Sequence, residues 1–154
     1  MKSLKYIIIA AVLALSFTSC LEYNLKPLDV YDGADITGAY VYYRYMDNSK
    51  TFPLSGAHAV KQSTLTVKNS IDAGSKTCNI TASLPSNFPE AEKSKISASQ
   101  LVVAVQISTA AVISPVGGSP ALGTPADWSS PHKYIVEAAD GTQKEWTVTV
   151  TLNK

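Results

Sequence analysis

The stretch KYIVEAADGTQKEWTVTVTL, residues 133–152, decides the fold. Apolar and polar side chains alternate on both sides of its central Asp-Gly pair, and a period of two places successive side chains on opposite faces of a strand. A short Asp-Gly connection between two such runs is typical of a β-hairpin. We therefore expect strands over residues 133–139 and 143–152, with one apolar face turned toward a core.

Two registers of this hairpin compete. A two-residue Asp-Gly turn pairs Ile135 with Trp146, whereas a three-residue loop pairs Val136 with Trp146. The second register brings the apolar residues together on one face, so we prefer it. It predicts a type I turn in which Gly141 takes the left-handed conformation of a bulge.

The same alternation recurs upstream of the hairpin. It predicts further strands over residues 38–46, 63–68, 78–84 and 99–108. The last of these is apolar on both faces, which predicts a central position. Residues 86–97 form a polar crossover with one helical turn around 89–93, and the Pro, Gly and Ser content of residues 110–129 indicates a loop-rich link. Over residues 36–154 the pattern predicts a single all-β domain, an antiparallel sandwich of about seven strands.

The first of these strands carries a run of tyrosines. Tyr40, Tyr42 and Arg44 share one face, and the odd-numbered residues 41–45 share the other. Tyrosine rings can stack on sugar faces while an arginine binds hydroxyl groups, so the even-numbered residues are the candidate ligand-binding site. The sandwich must also bury one face of this strand and can use tyrosines to do so. Packing is the favoured interpretation of the tyrosines, and glycan binding is the alternative.

The amino terminus has the pattern of a bacterial lipoprotein signal. Lys2 and Lys5 precede an apolar stretch at residues 6–17, and small residues stand directly before Cys20. About 12 apolar residues span roughly 18 Å of a ~30 Å hydrocarbon core, too short for a transmembrane helix. The motif resembles the lipobox, with Phe17 where many lipoboxes have Leu.

This pattern predicts an anchored protein. Residues 1–19 form the signal peptide, and residues 20–35 form the lipidated terminus and tether. Acyl chains on Cys20 hold the protein on a membrane, since each buried methylene contributes about 0.8 kcal/mol. We expect a location at the bacterial outer membrane or cell surface.

Charge and cysteine content exclude several classes of function. Loss of residues 1–19 removes two lysines and leaves 11 basic and 12 acidic residues, a net charge of −1 with neutral histidines. No nucleic-acid partner is expected from this balance. Cys78 is the only cysteine besides Cys20, so no intramolecular disulfide is expected once Cys20 is acylated. Cys78 lies in an alternating strand and is interpreted as a small buried hydrophobic residue.

No catalytic motif accompanies the available bases. His58 and His132 are the only histidines, and neither belongs to a nucleophile, zinc or phosphate motif. We interpret His58 as a loop residue and His132 as the start of a strand, both exposed at the surface. The protein is expected to be non-enzymatic, without a cofactor or a metal.

Two groups of carboxylates are candidate sites. Asp29, Asp32 and Asp35 recur every third residue, but without the spacing of an EF-hand, and a solvated turn is favoured over calcium binding. Glu137 and Glu145 are predicted neighbours across the hairpin, on its exposed face. Solvation there is a simpler account than a glycosidase carboxylate pair.

A wider pattern links the carboxy-terminal half to a known family. Ser114-Pro115 is followed by P-x-x-Y-x-V-x-A-x-D-G over residues 131–141 and by WTVTV over residues 146–150. This pattern resembles the immunoglobulin-like sandwich of Bacteroidetes lipoproteins, including DUF5018-type domains and the N-terminal domain of predicted carbohydrate-metabolism lipoproteins. The resemblance covers residues 36–152. It implies an immunoglobulin-like fold and an envelope location. A role near glycans is implied more weakly, because the carbohydrate-related proteins continue into a larger C-terminal domain.

Three hypotheses of function follow. The first is a lipid-anchored, non-enzymatic envelope module that contacts an unknown envelope protein or a glycan. The second is a glycan-binding accessory lipoprotein of a polysaccharide utilisation system, acting through Tyr40, Tyr42 and Arg44. The third is a fimbrial or adhesion-related lipoprotein. In all three, the membrane is contacted through the lipid on Cys20.

Overall fold

The computed structural model describes residues 30–154, so the predicted signal peptide, Cys20 and the first part of the tether lie outside the described residues. Nine strands follow one another: β1 Ile36–Thr51, β2 His58–Thr64, β3 Thr66–Asp72, β4 Thr77–Ser83, β5 Leu101–Ile107, β6 Val112–Val116, β7 Pro125–Ala126, β8 His132–Glu137 and β9 Gln143–Asn153. Single 3₁₀ turns at Glu90–Glu92 and Ala98–Gln100 interrupt the crossover between β4 and β5.

The strands form two sheets that enclose one core. The four-stranded sheet has the order β2-β1-β5-β7, and the five-stranded sheet has the order β3-β4-β9-β8-β6. This confirms the predicted all-β, immunoglobulin-like sandwich. The described residues contain nine strands rather than about seven, because the predicted link over residues 110–129 contains β6 and the short β7, and the predicted strand over residues 63–68 is divided between β2 and β3.

One pairing departs from the predicted antiparallel arrangement. Strands β4 and β9 are parallel, with Cys78 opposite Val148 and Ile80 opposite Val150. The other six pairings are antiparallel. Between β4 and β9 the chain crosses to the four-stranded sheet and returns, so it can re-enter beside β4 in the same direction.

The predicted strand over residues 63–68 is wrong, because the chain changes sheet in its middle. Strand β2 ends at Thr64 in one sheet, and β3 begins at Thr66 in the other. Leu65 stands between them, 2% exposed, and its N–H donates to the Val41 carbonyl at 2.9 Å. Alternation continues through this corner, so the sequence pattern resembles one uninterrupted strand.

The carboxy-terminal hairpin forms, but in neither register that we considered. Tyr134 pairs with Trp146, and Glu137 with Gln143, which leaves a five-residue loop over residues 138–142. The loop closes through hydrogen bonds between Ala138 N–H and the Thr142 carbonyl, 2.8 Å, and between Gly141 N–H and the Ala138 carbonyl, 3.0 Å. The preferred register is off by two residues, a shift that keeps every side chain on its predicted face.

The core lies between the two sheets and is dominated by large side chains. Its largest fully buried residues are Trp128, Trp146, Tyr134, Ile80, Ile96 and Leu101. Strand β5 lies between β1 and β7, as its two apolar faces predict. Cys78 is fully buried, and burial raises the pKa of its thiol to about 11. It therefore packs as a small hydrophobic residue, as predicted.

The residues directly before β1 pack against the sandwich. Ala34 is fully buried, and its carbonyl accepts a hydrogen bond from Trp146 Nε1 at 3.1 Å. The Asp35 carboxylate accepts from Lys144 Nζ at 2.9 Å, and its backbone N–H donates to Ser108 Oγ at 3.1 Å. The packed domain therefore begins before Ile36, and the last residues of the predicted tether are part of it.

Candidate functional site

Strand β1 carries the predicted binding residues to the outer side of the four-stranded sheet. Val41 and Tyr43 on its other face are buried in the core. Tyr40 is 40% exposed, Arg44 is exposed and Tyr42 is half-buried. Core packing is therefore wrong for Tyr40, and the three residues line one solvent-facing stripe.

Neighbouring strands extend this stripe into a surface. The residues opposite or beside the stripe on the same side are Val60, Gln62 and Thr64 of β2 and Val102, Ala104 and Gln106 of β5. Val102 is only 1% exposed, so it lies beneath this surface and is not open to a ligand. We call this surface, together with Gly38, Tyr40, Tyr42, Arg44 and Met46, the aromatic face. Among these residues only Arg44 carries a charge. The aromatic face thus combines rings, amides and one guanidinium.

Two contacts orient the polar groups of the aromatic face. Arg44 Nε donates to Gln62 Oε1 at 2.9 Å across the β1–β2 pair, which fixes the plane of the guanidinium. Gln106 lies across the strand pair above Gly38, where a Cβ atom would come within 2.5 Å of Gln106 Oε1. The absence of a side chain at Gly38 therefore leaves room for the Gln106 amide.

A cleft of about 470 Å³ continues the aromatic face at one end. Tyr43 forms the last β1–β5 pair, with Leu101, and β1 then runs on without a neighbour on that side. The cleft opens between this free edge and the β4–β5 crossover. Its lining residues are Tyr43, Arg44, Tyr45, Met46, Asn48, Glu92, Lys95, Gln100 and Pro125. Arg44 and Met46 belong to both the cleft and the aromatic face.

The acidic group of the cleft is already engaged. Glu92 is 8% exposed, and Tyr43 donates its hydroxyl proton to Glu92 Oε2 at 3.2 Å. Lys95 Nζ lies 2.8 Å from Glu92 Oε1. Burial, and then the Glu92 charge, raise the pKa of Tyr43, so its hydroxyl stays protonated at neutral pH. The Glu92 carboxylate is therefore bound by Tyr43 and Lys95 at the end of the core and is not available as a free acid or base.

The other candidate residues do not converge. His58 begins β2 and His132 begins β8, and both are half-buried rather than exposed. His132 Nε2 lies 2.7 Å from the Asp127 carbonyl, and its ring packs edge-on against Trp128 at 5.0 Å. Within residues 30–154, no group of three or more His, Cys, Asp or Glu side chains is placed to hold a metal ion.

The carboxylates singled out from the sequence are separated as well. Asp35 forms an ion pair with Lys144, and Glu145 forms one with Lys133 at 2.7 Å. Glu137 accepts from Gln143 Nε2 at 2.6 Å. Across the hairpin, Glu145 faces Ile135 and not Glu137. Asp29 lies outside the described residues.

Sequence reasoning missed the cleft residues of the crossover. Glu92, Lys95 and Gln100 lie some fifty residues from Arg44 in sequence, in a segment without regular alternation. Their only local signal is polarity, which is common to any solvated connection.

In the described part of the chain, no helix has the length and hydrophobicity that a membrane crossing requires.

Comparison with known proteins places this fold in a family. The model of the DUF5018-related family matches residues 36–149. A predicted secreted protein from Bacteroides fragilis, known from its crystal structure, is 42% identical with a TM-score of 0.72, over 82% of this chain and all of that one. No curated protein gives a significant match.

A second solved structure is more distant. A predicted glycoside hydrolase from Bacteroides thetaiotaomicron is 21% identical with a TM-score of 0.42, over 84% of this chain and 28% of that protein. Similarity at that level supports no conclusion about activity. The family match spans β1 to most of β9. The Bacteroides fragilis protein is similar to this chain in both sequence and fold. The chain belongs to the DUF5018-related family.

Proposed function

We propose that this protein is a non-enzymatic binding module, held at the cell envelope by a lipid on Cys20, that binds a glycan through the aromatic face. The observation that carries the proposal is the joint presentation of Tyr40, Tyr42 and Arg44 on the outer side of the four-stranded sheet. The opposite face of β1 already supplies the core. The stripe is therefore free to contact a ligand.

The chemistry of the aromatic face suits a sugar. A sugar ring offers apolar C–H faces together with hydroxyl groups, and a tyrosine ring offers an apolar surface with a polar tip. Alternate residues of a strand lie roughly 7 Å apart, so Tyr40 and Tyr42 present two neighbouring rings. Gln62, Gln106 and the Arg44 guanidinium supply hydrogen-bonding groups around them.

The direction of β1 supports this role for an anchored protein. The chain reaches the sandwich at Ile36, and Arg44 lies eight residues further along the strand, roughly 27 Å away. If the chain is anchored through residues before Ile36, the membrane would lie at the end of β1 opposite the cleft. The similarity to a predicted secreted protein supports an extracytoplasmic location.

Calorimetric titration of the full-length lipidated protein in detergent against a panel of neutral and acidic glycans tests the binding role. We expect at least one glycan to bind and Tyr40→Ala to weaken it by about 3- to 12-fold, the equivalent of one lost aromatic contact. Tyr31→Ala is the matched control, since Tyr31 is 59% exposed outside the aromatic face. Flat titrations across the panel, or equal losses in the two variants, contradict the proposal.

Metabolic labelling with a palmitate analogue tests the anchor. We expect the wild-type protein to take up label and Cys20→Ala to lose it, because acylation requires the Cys20 thiol. Cys78→Ala should keep the label, since Cys78 is fully buried in the core. Label retained by Cys20→Ala would refute the anchor and leave the binding role to be judged by calorimetry.

A further inference from the structure

We infer that the cleft beside Arg44 binds the carboxylate of an acidic sugar, so that the ligand class is a glycan containing uronic acid. This inference rests on the proposed function and specifies its ligand. It starts from the charges that line the cleft. Arg44 and Lys95 are its cations, and Glu92 is its only anion.

The three charges are not equivalent. Lys95 forms an ion pair with Glu92 at 2.8 Å, and these two charges offset one another. None of the ion pairs among the described residues includes Arg44. The cleft thus has one unbalanced positive charge, which is complementary to one anionic group of a ligand.

The terminal nitrogens of the Arg44 guanidinium are also available to a planar anion. Its Nε is held by Gln62 at 2.9 Å, and no described residue accepts a hydrogen bond from its two terminal nitrogens. A carboxylate can take two parallel hydrogen bonds from such a fork. Lys95 has no such fork and is bound to Glu92.

The remaining lining of the cleft suits the ring that would carry the carboxylate. Tyr45, Met46 and Pro125 supply apolar surface, and Asn48 and Gln100 supply amides for hydroxyl groups. The volume of about 470 Å³ falls within the ordinary range for small-molecule sites. Since Arg44 also belongs to the aromatic face, a sugar in the cleft would be continuous with sugars on Tyr40 and Tyr42.

Trigalacturonic acid and its fully methyl-esterified form are matched probes, because esterification removes the charges and keeps the sugar skeleton. We expect the full-length protein to bind the acid at least tenfold more tightly than the ester by calorimetry, the equivalent of a charge-assisted hydrogen-bond pair. Arg44→Gln should reduce this ratio to near one, and Arg44→Lys should restore part of it. A trisaccharide sulfate measured in parallel shows whether any anion suffices, and equal binding of sulfate would overturn the assignment to a carboxylate.

Lys68→Gln is the control, since it removes an exposed cation of β3 in the other sheet, which forms no ion pair within residues 30–154, and should leave the ratio unchanged. Equal affinity for acid and ester, or a ratio unchanged in Arg44→Gln, would overturn the inference. Binding of a neutral glycan without preference for the acid would overturn the inference alone. A panel without any binding glycan would overturn the proposed function as well.

Discussion

At the residue scale, the two buried tryptophans differ in the hydrogen bonding of their indole N–H groups. Trp146 Nε1 donates to the Ala34 carbonyl at 3.1 Å, whereas Trp128 Nε1 is buried without an acceptor in the described part of the chain. Both rings are fully buried. The Trp146 bond joins the segment before β1 to the five-stranded sheet, so it ties the incoming chain to the core.

Trp146→Phe should destabilise the domain more than Trp128→Phe. Both changes remove similar ring surface, but only the first leaves a buried carbonyl, that of Ala34, without its donor, at a cost of about 1–3 kcal/mol. The second deletes a donor that is already unpaired. Urea denaturation of both variants measures the difference, and an equal or larger loss in Trp128→Phe would contradict this account.

Alternation predicted side-chain grouping at this scale but not side-chain environment. The pattern correctly grouped Tyr40, Tyr42 and Arg44, and it predicted the burial of Cys78. It gave the wrong environment for Tyr40, because one strand's alternation does not tell which face meets the other sheet. That choice depends on the whole set of sheet contacts.

At the scale of elements, the β8–β9 hairpin shows how a loop sets a register. Asp140 accepts hydrogen bonds from the Thr142 N–H at 2.8 Å and from the Thr142 hydroxyl at 2.9 Å. These bonds stabilise a five-residue loop that contains a β-turn over residues 138–141. Gly141 within it has a φ of +87°, the left-handed conformation that we expected from the sequence.

Gly141→Ala should lower stability by about 1–2 kcal/mol, because a Cβ atom is disfavoured at positive φ. No atom lies within 4 Å of the new Cβ position, so the cost is conformational and not steric. Gly141→Asn should cost less, since asparagine tolerates this conformation better. Thermal melts of the two variants check the order, and a melting point unchanged by alanine would contradict it.

Local patterns located most strands but not the points where strands change sheet. Strands β4, β5, β8 and β9 lie close to their predicted positions. The alternation around Leu65 predicts a mid-strand position, although the chain turns there from one sheet to the other. No local residue preference distinguishes this corner from an ordinary strand position.

At the scale of the whole molecule, the candidate site is a product of tertiary packing. Arg44 was found from the sequence because it shares a strand with two tyrosines. Glu92, Lys95 and Gln100 were not found, because only the packing of the crossover against β1 brings them to the cleft. The parallel β4–β9 pair escaped prediction for the same reason, since its partners lie about 70 residues apart.

A chain that ends at Thr142 should fail to unfold cooperatively. It lacks β9, which lies between β4 and β8 and supplies Trp146, Val148 and Val150 to the core. Its loss would split the five-stranded sheet into two parts. Urea denaturation followed by Trp128 fluorescence measures this, with deletion of Lys154 alone as the control, and a cooperative transition in the shorter chain would contradict the expectation.

The central position of β9 also has a consequence for biosynthesis. Its parallel partner β4 leaves the ribosome about 70 residues earlier, so the middle of the five-stranded sheet stays vacant until β9 itself has been synthesised. The sheet must then close by insertion of a strand into a gap, a long-range event that slows folding. Throughout that interval the backbones of β4 and β8 are open to foreign strands, which exposes the nascent chain to aggregation.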